Sequence, residues 1–143
     1  MKKKLIQRIN NFNYNKKLYD LTYLKNIRGG NEELIKDLIE IFIKTMPSAC
    51  KEMVEASKQK DWKLVNKLAH KIKSNVYTLG IFSIKEDLEY VEKNAFKKQN
   101  TDAILSNAIN VEKTVMLAAQ ELQQQLNTNF SFIRSEANSV IKK

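Results

Sequence analysis

The chain has 143 residues, 43% of them apolar, which is enough for one core and one domain. Three glycines and one proline are too few for a β-rich or loop-rich fold, and Leu, Ile, Lys, Glu, Gln and Ala dominate, so an all-α fold is expected. The formal charge of +9 is carried mainly by the ends: +6 lies in residues 1–17 and +2 in residues 130–143, which leaves a nearly neutral body and argues against a nucleic-acid-binding one.

Residues 1–17 are basic, Asn- and Lys-rich, and expected to be loosely ordered. No apolar run follows the basic start, so a secretory signal is not read there, and no stretch is long and apolar enough to cross a membrane. The single cysteine, Cys50, excludes an intrachain disulfide and fits a buried thiol. A cytoplasmic location is expected. Met1 and the basic leader favour a free-standing protein over an excised piece of a larger kinase.

A short helix is predicted over Tyr19 to Ile27, ended by Gly29-Gly30. Asn31 is the N-cap of the next helix, with Glu32 and Glu33 in the first turn, where the helix dipole favours negative charge. Leu34, Leu38, Ile41, Phe42 and Thr45 recur at helical spacing, and the pattern resumes past Pro47 at Cys50, Met53, Val54 and Ser57. That describes either one long helix kinked at Pro47 or two joined ones. Gln59-Lys60-Asp61 is the break, and Asp61 caps a helix from Trp62 to about Leu79, with Val65, Leu68, Ala69, Ile72, Val76 and Leu79 inward. Gly80 suits its C-terminal cap.

A further helix is predicted from about Ser83 to Lys97 (Ile84, Leu88, Val91 and Ala95 inward). The last starts near Thr101 and runs through Ile104, Ala108, Val111, Val115, Ala118 and Leu122 to Leu126. Four long amphipathic helices with short connections predict an antiparallel four-helix bundle with a short extra N-terminal helix. Residues 128–143 are expected to be a tail or a short helix.

His70 is the sole histidine. With the apolar stripe of its helix set at zero, it points roughly 140° away, Lys73 roughly 80°, Ser74 roughly 180°, Lys63 roughly 160° and Lys67 roughly 200°. His70 therefore faces solvent among Lys63, Lys67, Lys71, Lys73 and Ser74. No second histidine or nearby cysteine completes a metal set, so no metal is assigned. No serine or cysteine partner and no glycine-rich phosphate loop is present, which argues against a nucleophilic or nucleotide-using enzyme. A free imidazole is largely neutral near pH 7 and can attack phosphorus, and an ammonium at i+3 can offset the charge of the product.

The stretch Leu68-Ala69-His70-Lys71-Ile72-Lys73-Ser74-Asn75-Val76-Tyr77-Thr78-Leu79-Gly80 resembles the histidine-containing phosphotransfer (HPt) domains of bacterial multi-step two-component systems. Their pattern is roughly Ala-His-x-Leu-Lys-Gly-Ser-x-x-x-(Leu/Ile)-Gly. Tyr19 to Gly30, Leu34 to Pro47, Asp61-Trp62 and Leu88-Glu89 also fall where that family has its leading helix and turn, its Phe/Pro helix, its Asp-Trp turn and its Leu-Glu pair. The resemblance spans about residues 18–127.

It implies that His70 accepts a phosphoryl group, that Lys73 steadies it, and that Gly80 serves the close turn below. Lys63, Lys67, Lys71, Ser74, Tyr77 and Gly80 would meet the docking partner. The implied partners are response-regulator receiver domains and a hybrid sensor histidine kinase, with Mg²⁺ on the receiver and no cofactor in this chain; a monomeric carrier, not an enzyme, is expected. Two positions depart from the pattern. Ser74 replaces the glycine that lets the receiver backbone approach, and Asn75 replaces the next serine or alanine, so partner choice or rate is expected to differ. A second reading is a basic helical adaptor that binds nucleic acid or protein through its tails. A third is a bundle of the same kind without transfer activity.

Overall fold

A computed structural model describes residues 17–27 and 31–130. The basic leader before Lys17, the Gly29-Gly30 helix stop and the tail from residue 131 onward lie outside the described residues. All the regular structure described is helical: α1 (Thr22–Ile27), α2 (Glu32–Lys58), α3 (Trp62–Thr78), α4 (Lys85–Lys97) and α5 (Ile104–Gln125). A 3₁₀ turn, Thr101–Ala103, precedes α5, and a π-helical turn, Leu126–Phe130, follows it. Helix α2 packs on α3 and α5, α3 on α4, and α4 on α5, around one hydrophobic core.

Each boundary has a local cause. The Asn31 side chain accepts from Leu34 N at 3.2 Å and the Asp61 side chain from Leu64 N at 3.3 Å, so both predicted N-caps occupy orphan amides of a first turn. Helix α3 ends in a Schellman motif, in which Ile81 N donates to Val76 O (2.9 Å) and Gly80 N to Tyr77 O (3.0 Å). Gly80 supplies the φ of +67° this requires. Helix α2 ends the same way, through Asp61 N to Ala56 O and Lys60 N to Ser57 O, with Lys60 at φ 59°.

Two expectations shift. The first helix starts at Thr22, not Tyr19, because residues 18–20 spend their backbone elsewhere: Leu18 N donates to the Glu121 carboxylate (3.0 Å) and Asp20 N to Leu79 O (3.0 Å). The Asp20 side chain then accepts from Thr22 N at 2.9 Å. Residues 17–21 form a strap across the end of α5 and the turn after α3.

The second shift is in α2. It runs unbroken through Pro47, settling the open choice as one helix. Its buried face is Ile35, Ile39, Phe42, Met46, Ala49, Cys50 and Met53. Leu34, Ile41 and Thr45, expected inward, are exposed, and Leu38 is half-buried. Two apolar rows run side by side on this helix, and its neighbours α3 and α5 decide which one is covered. The inward residues expected for α3, α4 and α5 are all buried. Among the described residues no helix is long and apolar enough to cross a membrane.

Candidate functional site

Asp61 starts α3 and the Val65–Leu68–Ala69–Ile72–Val76 stripe anchors it in the core. That rotation turns His70 outward in mid-helix, with its side chain 73% exposed. Across from it, Leu88, Val91 and Ala95 bury the inner face of α4 and leave Glu92 facing α3. The two helices are pinned there by Asn66, whose Nδ2 donates to Glu92 O at 2.8 Å.

Glu92 joins the two residues singled out from the sequence. Its Oε2 lies 3.1 Å from His70 Nδ1, and Lys73 Nζ donates to its Oε1 at 2.8 Å. Burial pushes the Glu92 carboxyl up, but the hydrogen bonds and charges of Lys73 and His70 outweigh it and hold the group below the ordinary carboxylate range. The Lys73 ammonium is raised, chiefly by its bond to Glu92. An ionised carboxylate only accepts, so Nδ1 of His70 carries the hydrogen of their contact. In the neutral ring the lone pair then sits on Nε2, which has no hydrogen-bond partner among the described residues.

The predicted docking residues separate into two groups. Lys63, Lys67, Lys71 and Ser74 are exposed along the outer face of α3. Gly80 is buried and Tyr77 half-buried. The Tyr77 ring sits 6.0 Å from that of Phe82 and its hydroxyl is buried without a partner. Gly80 is buried against the strap, where an added Cβ would lie 2.7 Å from Asp20 N. Gly80 therefore supports the helix end from inside, while Tyr77 keeps part of its side chain at the surface. Cys50 is buried as expected; burial, helped by the Glu112 charge, pushes its thiol up to about 12.

Glu92 escaped the sequence reading. The acid matched there was Glu89, one turn earlier on α4, and only the inter-helix register separates the two. An open groove of about 300 Å³ also lies between α3 and α4, lined by Asn66, His70, Glu92, Lys93 and Phe96. Among the described residues no three His, Cys, Asp or Glu side chains gather as a metal-binding group. Comparison with known proteins returned no match: no protein-family model, curated protein or solved structure is significantly similar to the chain.

Proposed function

We propose that the protein is a phosphotransfer carrier that accepts and donates a phosphoryl group on His70 Nε2. It exchanges that group with aspartates of receiver domains. The observation that carries the reading is an exposed imidazole whose Nδ1 is held by a carboxylate, with Nε2 left free toward solvent. In the step, the Nε2 lone pair attacks phosphorus of the partner's aspartyl phosphate. The P–O bond breaks and the partner's carboxylate leaves with the electron pair. Nδ1–H stays on Glu92, whose charge offsets the one the ring gains. Lys73 spends one of its three N–H donors on Glu92 and keeps two for phosphoryl oxygens.

Cyclic packing of α2–α5 and their short connections support reading these four helices as an antiparallel four-helix bundle. In this reading the protein is a cytoplasmic monomer, not an enzyme. A hybrid sensor kinase feeds the relay, and Mg²⁺ belongs to the receiver. The test is incubation with phosphorylated receivers. Acid-labile label is expected on the wild type and none on His70→Gln, while Lys73→Ala slows transfer and leaves the fold intact. Label that survives His70→Gln, or none on the wild type, rejects the proposal.

A further inference from the structure

We infer that the groove between α3 and α4 is part of the docking surface, with Phe96 as its apolar anchor and Lys93 on its charged rim. The partner it fits is a receiver-type surface presenting an apolar side chain beside an acidic pocket. This rests on the phosphotransfer reading and extends it from α3, where sequence alone placed the contacts, to α4.

Phe96 is 75% exposed, the highest value among the exposed large apolar side chains of the described residues. A lone exposed apolar residue is ordinary on a protein surface. This one lines a concave groove that also holds His70. It stands one turn beyond Glu92 on α4, and the Asn66 bond to the Glu92 carbonyl keeps that stretch of α4 close to α3. Aromatic side chains at the edge of a concavity are the type that dominates binding energy when a partner covers them.

Charge selects the partner. Lys93 on α4 and Lys63, Lys67 and Lys71 on α3 are exposed, and Glu92, the one acid lining the groove, is already paired with Lys73. Among the described residues none of these four lysines makes an ion pair, so the surface presents several ammonium groups around an apolar centre, which complements an acidic pocket with an apolar neighbour.

The experiment measures phosphoryl transfer to the full chain from a panel of isolated receiver domains charged with acetyl phosphate and Mg²⁺. Phe96→Ala is compared with Leu117→Ala, an equally drastic truncation of an exposed residue on α5, which does not border the groove. Phe96→Ala is expected to raise KM about 10- to 100-fold, with kcat and the unfolding curve little changed. Lys93→Ala raises KM less, and Leu117→Ala leaves it unchanged. Complex formation read by calorimetry survives His70→Gln but weakens in Phe96→Ala. Equal KM values for Phe96→Ala and the wild type, or a change confined to kcat, overturn the inference while leaving phosphotransfer standing. Self-association of the chain that Phe96→Ala abolishes overturns it too, since the groove would then receive a second copy. Absence of label on the wild type from every receiver rejects both.

Discussion

The Glu92 carboxylate accepts from Lys73 and His70 together, and its ionised form is favoured in the folded protein. A carboxyl whose pKa is lower folded than unfolded stabilises the fold above its ordinary value of 4.5 and loses that contribution as pH falls toward the folded value. The difference in unfolding free energy between the wild type and Glu92→Gln is therefore expected to be full at pH 7 and to shrink steadily below about pH 4.5. Denaturant titrations at several pH values check this, and a difference constant down to pH 3 would show that the pair contributes nothing through ionisation. The same residue marks the limit of what the sequence discloses. His70 and Lys73 are legible because both lie on one helix, where 100° per residue sets their directions. Glu92 belongs to another helix 19 residues beyond Lys73, and intrahelical periodicity carries no information on which rung of α4 faces which rung of α3.

Among the elements, the turn after α3 has the most to lose from a small change. Gly80 is left-handed at φ +67°, closes the Schellman motif and lies against the backbone of the strap. Gly80→Ala adds both left-handed strain and a clash with Asp20, so it is expected to destabilise the protein by about 2–4 kcal/mol. Thermal or denaturant unfolding measures that cost, and a loss under about 1 kcal/mol would mean that the strap moves aside freely. The cap itself is legible from Gly80 at the end of an apolar stripe, and so are the inward faces of α3, α4 and α5, because each has one dominant apolar row. Helix α2 is read one row off because Leu34, Leu38 and Ile41 form a second row beside Ile35, Ile39, Phe42 and Met46. Periodicity alone ranks the two equally. The strap escapes sequence reading for another reason: its bonds to Glu121, Gln125 and Leu79 join residues 59 or more positions apart.

For the molecule as a whole, the question is where its charge acts. The formal +9 is concentrated in the ends, but the proposed transfer surface draws on lysines of the nearly neutral body. Lys63, Lys67 and Lys71 are exposed on α3, and each is expected to add about 0.5 kcal/mol toward an acidic docking face. Replacing all three with serine is thus expected to raise KM for a phosphorylated receiver about tenfold and to flatten its dependence on salt, with kcat unchanged. Removing residues 1–16, which include five of the basic side chains but none of the strap, should leave both quantities as they are. The two readings of the charge diverge here. If truncation of the leader, rather than loss of the α3 lysines, abolishes the salt dependence, recognition runs through the basic end as in an adaptor, and the ammonium groups around His70 serve only to solvate a helix face.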